Sequence, residues 1–261
     1  MIPVTSLDDP RLSVYRNLKD RDLIARHGRF IAEGEFVVRR LFVSRFRAES
    51  VLVSQNKAPE IAALAPAGTA VYVAPQALLN QIVGFRFHTG VVAAGIRAPS
   101  PSLTDVLSSV GDVLIVVCPD LNNAENLGSL IRLSAGFGAA AIVVGEHCHD
   151  PWVRQTIRVS MGTIFTLPVV QSADITSDLR KLGGMDVERV ATVLDADAEP
   201  LARSRPSRRM ALLFGGEAHG LSPEHVALCD RKVTIPMKLG TDSLNVAVAA
   251  GIVLHHYTSR S

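Results

Sequence analysis

Cysteine is scarce in this sequence. It occurs three times, at positions 118, 148 and 229, and no two of these residues form a C-x-x-C pair. An odd, scattered set excludes a disulfide framework and a redox dithiol, and fits reduced thiols in the cytoplasm. Long apolar runs are also missing. Runs such as 246–254 fall well short of the roughly 20 residues that a membrane-spanning helix needs. The first residues, "MIPVTSLDDPRL", place acids where a secretory leader has bases and then an apolar stretch. A cytoplasmic protein with no membrane partner is therefore expected. There is no G-x-G-x-x-G after a strand, no Walker A loop, no G-x-S-x-G elbow and no kinase motif set, which argues against the common dinucleotide, NTP and serine-hydrolase sites. "EHCHD" (146–150) gathers His, Cys and Asp but lacks a second ligand pair at zinc spacing, so no metal is expected.

The 261 residues are 48% hydrophobic and 20% charged, enough for a sizeable core in one large or two smaller domains. Net charge is only +2, but its distribution is uneven. Residues 11–47 carry ten Lys or Arg against four acids. Nine of the ten are Arg, the residue suited to bidentate phosphate contacts. Arg16, Lys19, Arg21, Arg26 and Arg29 are candidate RNA contacts; a merely solubilising face is the alternative.

The Pro- and Ser-rich stretch 97–111 marks a boundary, predicting a domain over 1–97, a linker over 98–111 and a second domain over 112–261. In the first, residues 9–27 read as a basic helix, 35–46 as a second helix, and 50–54, 70–74 and 89–96 as strands. The second alternates more sharply. Strands are expected at 112–118, 140–145, 164–170, 189–195, 210–215 and 232–236. Helices are expected at 126–136, 151–160, 174–182 and over the final apolar run. Such alternation argues for an α/β domain around a largely parallel sheet.

Three strand-to-helix loops carry unusual chemistry. In "DLNNAENLGSLIRL" (120–133), Asn126 is a candidate helix cap, and Arg132 is a lone charge in an apolar helix, where a partner is expected. In "LLFGGEAHGLSPE" (212–224), Gly215 and Gly216 allow close backbone approach beside Glu217 and His219. In "IPMKLGTDSLNVAVAAG" (235–251), Asp242 or Ser243 is the expected cap, with Asn245 in the first turn beside free backbone N–H groups. Each loop taken alone also fits an ordinary cap, turn or solvated side chain.

Together the three loops resemble the SpoU (TrmH-type) branch of the SPOUT RNA methyltransferases. That family carries N-x(5)-R after its first strand, G-x-E-x-x-G after a later one, and I-P-M…S-L-N-V-A at its last helix. Here these stand as Asn126…Arg132, "GGEAHG" and "IPMKLGTDSLNVA", in the family's order. The resemblance covers about residues 112–258. More weakly, 9–97 resembles the L30e-like module that often precedes this domain, best at "RFIAEGEFVVRRL".

The resemblance implies a C-terminal trefoil knot, an exception to the rule against knots. It implies S-adenosylmethionine (AdoMet) as cofactor and a homodimer with shared active sites. The implied reaction is methyl transfer to a ribose 2′-hydroxyl of rRNA or tRNA; a separate N-terminal module, which often accompanies the rRNA enzymes, favours rRNA, with tRNA as the alternative. Gly215, Gly216, Ile235, Met237 and Leu244 would hold AdoMet. Asn126, Glu217, Ser243 and Asn245 would order the catalytic groups, and Arg132 would contact RNA at the reacting ribose. Guanidinium effectively never deprotonates in proteins, so Arg132 is expected to act as a cation and not as the base. An inactive RNA-binding protein of the same fold and a Rossmann-type enzyme are the competing classes.

Overall fold

The computed structural model describes residues 1–16, 28–84, 86–108, 111–238 and 243–259. Lys19, Arg21, Arg26, most of the helix expected over 9–27, and Asp242 lie outside the described residues. Strands in chain order are β1 (Ile2–Pro3), β2 (Arg29–Glu33), β3 (Ala48–Ser54), β4 (Ala70–Ala74), β5 (Val91–Ile96), β6 (Val113–Cys118), β7 (Ala141–Val144), β8 (Val169–Gln171), β9 (Glu188–Thr192), β10 (Glu199–Pro200), β11 (Arg209–Leu213) and β12 (Arg231–Thr234). The described α-helices are α1 (Glu35–Phe42), α2 (Ala58–Leu64), α3 (Gln76–Val83), α4 (Leu103–Leu107), α5 (Ala124–Gly136), α6 (Arg154–Val159), α7 (Ile175–Gly184), α8 (Pro223–Ala227) and α9 (Val246–Thr258). None is long and apolar enough to cross a membrane.

The chain forms two units. One comprises Met1–Pro99 with Pro151–Thr166, the other Ser100–Asp150 with Leu167–Ser261. The division is therefore not contiguous: 151–166, expected with the second domain, groups with the first. The Pro/Ser stretch is also more than a linker. Ser102 and Asp105 form a reciprocal capping box that starts α4, and Leu103 and Leu107 are buried in the second unit's core. Its polar residues mark a helix start.

The first unit holds a five-stranded sheet in the order β1-β4-β3-β5-β2, with β5 antiparallel to both β2 and β3. One face packs Leu12, Tyr15, Ile31, Leu52 and Phe87. Elsewhere Phe30, Phe46, Trp152 and Phe165 cluster, with ring centroids 5.0–5.9 Å apart. Phe30 lies across from Gly95 in the β2–β5 register, and a Cβ on Gly95 would sit 2.2 Å from its ring. Only glycine leaves room for this ring.

Two expected elements end differently, and each change feeds this cluster. α1 stops at Phe42, not 46. Ser44 donates to the Leu41 carbonyl and accepts from the Phe46 N–H, a local competitor to helical bonding that turns Phe46 inward. The segment 164–170 is not one strand. Thr163–Phe165 is a 3-10 turn burying Ile164 and Phe165, and only Val169–Gln171 pairs. Short buried apolar runs look alike in either conformation. The excursion is also pinned by an ion pair of Arg154 with the buried Glu33, and by Arg40 donating to the Met161 carbonyl at 2.7 Å.

The second unit holds a seven-stranded sheet in the order β10-β12-β9-β11-β6-β7-β8, parallel at every pairing. This is the mixed α/β architecture expected. β6, "VLIVVC", is nearly all buried, as a strand covered on both faces should be.

Removing the largest ring of the aromatic cluster tests whether the excursion belongs to the first unit's core. Trp152→Ala is expected to destabilise that unit by about 3–5 kcal/mol, as for large core truncations. Chemical denaturation should show an earlier transition; an unchanged midpoint would mean the cluster is dispensable.

Candidate active site

In the second sheet, β7 and β8 lie on one side of β6, and β11, β9, β12 and β10 lie on the other. Strand order reverses beside β6, which places the switch point of an open parallel sheet there. The loops leaving the C-terminal ends of β9, β11 and β12, with the start of α9, enclose a cavity of about 710 Å3. Gly215, Gly216, Glu217, Ile235, Met237, Ser243, Leu244 and Asn245 all line it. Those eight residues come from segments predicted from sequence to converge.

The β11 loop owes its shape to glycine. The chain curls so tightly that a Cβ on Gly215 would lie 2.1 Å from the Gly220 carbonyl carbon and 2.3 Å from the Leu221 nitrogen. On Gly216 it would lie 2.5 Å from the Asp120 carbonyl oxygen. Gly220 N–H closes the curl on the Gly216 carbonyl at 3.0 Å, leaving Glu217, Ala218 and His219 exposed at its tip.

The loop after β6 is fixed by a thiol. Cys148 Sγ donates to the Cys118 carbonyl at 3.0 Å and accepts from Leu121 N–H at 3.1 Å. Burial pushes the Cys148 pKa up to about 11, which keeps the proton that this donation requires. The "EHCHD" segment thus has a structural task. Among the described residues no cluster of three His, Cys, Asp or Glu could hold a metal ion.

Both expected caps are corrected. α5 is capped by Asn123, whose Oδ1 accepts from the N–H groups of Glu125 and Asn126 at 2.8 and 3.2 Å. α9 is capped by Asn245, whose Oδ1 accepts from Ala247 N–H at 2.9 Å and Val248 N–H at 3.4 Å. Ser243 is left free to line the cavity. Asn126, released from capping, is buried with 8% exposure and accepts a 3.0 Å hydrogen bond from Asn245 Nδ2. One amide thus caps α9 and ties it to the first turn of α5.

Arg132 differs from the rest. It is exposed on α5, does not line the cavity, and makes no ion pair or hydrogen bond among the described residues. The partner expected for it is not found among the described residues. Sequence reasoning also missed the loop after β9. Thr192, Val193 and Leu194 line the cavity, Thr192 Oγ1 donates to the Leu213 carbonyl at 2.7 Å, and Asp195 pairs with Lys232 at 2.6 Å. Only its place after a strand could have pointed to it.

The candidate RNA contacts are also partly committed elsewhere. Arg29 grips Glu49 through two hydrogen bonds of 2.6 and 2.7 Å, and the Glu49 carboxyl is held below its ordinary range by that guanidinium. Arg16 donates to the carbonyls of Leu7 and Asp9. Neither presents a free fork to a phosphate.

A parallel α/β sheet whose switch-point loops close over a cavity this large defines a class: proteins that hold a small organic ligand or cofactor beyond the strand ends. Comparison with known proteins narrows it. The profile of the SpoU rRNA Methylase family matches residues 113–255. An uncharacterized tRNA/rRNA methyltransferase of Mycobacterium tuberculosis is 36% identical over 96% of this chain and 89% of its own. The 23S rRNA (guanosine-2′-O-)-methyltransferase RlmB of Acinetobacter baylyi is 32% identical over 73% of this chain and 78% of its own. The AdoMet-bound rRNA methyltransferase from Sinorhizobium meliloti superposes with a TM-score of 0.84 at 25% identity, covering 97% of this chain and 96% of that one. The chain belongs to the SpoU rRNA methylase family.

Asn245 offers a test that separates its two bonds. Asn245→Ser keeps a capping oxygen but loses the reach to Asn126, whereas Asn245→Ala loses both. The Ala variant should fall about 0.5–2 kcal/mol further than the Ser variant in denaturant titrations. Equal losses would mean the cap contributes nothing.

Proposed function

We propose that the second unit binds AdoMet in the cavity and transfers its methyl group to a ribose 2′-hydroxyl of structured RNA, with 23S rRNA favoured over tRNA. The observation that carries this is the convergence of the Gly-Gly-Glu curl, the Ile-Pro-Met segment and the Ser-Leu-Asn helix start on one cavity. The cradle suits the cofactor. Its volume is that of a small-molecule site, its apolar lining includes Leu194, Phe214, Ile235 and Met237, and glycine leaves backbone open where side chains would intrude. When bound, AdoMet supplies an electrophilic methyl on a sulfonium. The RlmB relative, named for guanosine-2′-O methylation of 23S rRNA, favours that acceptor.

The protein's contribution is positioning and charge. The Asn245–Asn126 bond fixes the start of α9 against the start of α5, beside Ser243 at the cavity. Arg132 as a cation grips a phosphate beside the target ribose and stabilises the alkoxide as it forms. Because Arg132 does not line its own chain's cavity, it serves the site of a second copy. The dimer face is α5 with α9. The two pack against each other, with Leu133 3.7 Å from where a Gly251 Cβ would lie, and α9 leaves Val248 52% and Ile252 41% exposed. The family's trefoil knot and an L30e-like, RNA-binding first unit belong to the same reading.

The direct test incubates the chain with a 23S rRNA transcript and labelled AdoMet, then hydrolyses the product in alkali. A 2′-O-methyl blocks cleavage at its own phosphodiester, so label should survive in a dinucleotide; label on mononucleotides would mean base methylation.

Two variants separate the roles. Gly215→Ala should abolish AdoMet binding by calorimetry. Arg132→Ala should bind AdoMet normally and lose about 10²–10³-fold in rate. Co-expressed, the two should regain activity, because a mixed dimer holds one site with an intact cradle and an intact partner arginine. Failure to regain it would place the whole site within one chain.

A further inference from the structure

α1 of the first unit turns a stripe of unusual composition to solvent. Phe36, Arg40 and Val43 stand at i, i+4 and i+7, on one side of the helix. Phe36 is 72% and Val43 86% exposed, while Val37, Val38, Leu41 and Phe42 on the other side are buried. A phenylalanine this open contributes little to the core it stands on.

The charges nearby sort into two groups. At the Phe36 end the carboxylates are met: Arg39 pairs with Glu35 and Glu60, and Lys57 pairs with Glu35. Three other arginines have no carboxylate partner among the described residues. Arg40 is exposed and places one nitrogen on the Met161 carbonyl, leaving the rest of its fork. Arg45 is exposed, with its guanidinium 5.3 Å from the Phe46 ring centroid. Arg158 is exposed at the end of α6, and its carbonyl accepts from the same Met161 at 3.0 Å. The excursion therefore brings the backbone of a third arginine within one turn of Met161, which Arg40 of α1 holds.

We infer that this stripe is a contact surface for an unpaired stretch of the RNA substrate, with Phe36 stacking on a base and Arg40, Arg45 and Arg158 meeting phosphates. The inference rests on the RNA-methylation reading above. An aromatic ring takes any base face, but only where the base is free of a duplex. Guanidinium forks suit phosphate oxygens. Three cations without a neutralising acid select a polyanion over an apolar protein face.

The test uses the full chain, a 23S rRNA transcript and a salt series. Arg45→Gln and Arg158→Glu should each lower the slope of log affinity against log salt by about one. Phe36→Ala should weaken binding about tenfold with little change in slope. Phe36→Trp should bind normally, with fluorescence quenched by saturating transcript. AdoMet affinity should be unchanged in all four. If the wild-type chain binds and the variants match it in affinity and slope, or if the Phe36→Trp emission ignores the transcript, the surface alone is overturned. If Phe36→Ala halves the mass in light scattering, the stripe belongs to a second copy and the inference falls. A wild-type chain that does not bind the transcript overturns the RNA reading and this surface with it.

Discussion

Every strand pairing in the second unit is parallel, and much of the site follows from that constraint. Parallel neighbours cannot be joined by a hairpin, so each strand end must lead into a crossover. The ends of β6, β9, β11 and β12 consequently leave the sheet on one edge. Side chains separated by a hundred residues meet there without any single segment encoding the meeting. The Asn245–Asn126 bond then fixes what topology has only brought close: two helix starts, each capped by its own asparagine, are tied by one side-chain amide. Buried polar groups are costly when unpaired. Asn126 therefore holds its position only while Asn245 faces it.

Much of this was legible in the sequence. Unbroken β-branched runs such as "VLIVVC" announced buried parallel strands, and the glycine pair after β11 announced a turn that admits no side chain. What was not legible has a common physical cause. The caps of α5 and α9 went to Asn123 and Asn245 because several small polar residues stood in a row, and local preference does not rank them. The excursion 151–166 looked like part of the second domain because neighbours in sequence are usually neighbours in space. Its aromatic residues find their partners more than a hundred positions away. The loop after β9 carried no unusual residue type and was invisible for that reason.

The basic stretch makes the same point in electrostatic terms. Ten cations against four acids suggested an open phosphate-binding face. The structure engages Arg11, Arg16, Arg29 and Arg39 with Asp9, backbone carbonyls, Glu49 and Glu35. These are mostly half-exposed pairs, each of small net worth to stability. The carboxylates facing Arg11, Arg29 and Arg39 offset those charges in the field that a polyanion would sense, whereas Arg16 keeps its charge with one nitrogen engaged. Local charge counts therefore overstate what is available, and the cations that remain open include one, Arg158, outside the counted stretch.

The aromatic cluster of the first unit is completed only by Phe165. Phe30 and Phe46 are made early by the ribosome, while Trp152 and Phe165 come from a segment translated after two strands of the other unit, β6 and β7. At about 5–20 residues per second, the interval between residues 99 and 166 is roughly 3–13 s. For that time the nascent first unit carries two large rings and an unpaired Glu33 without their covering segment. Synthesis order and core order are out of step, so the emerging chain presents a sticky, half-roofed sheet of the kind that nascent-chain chaperones bind.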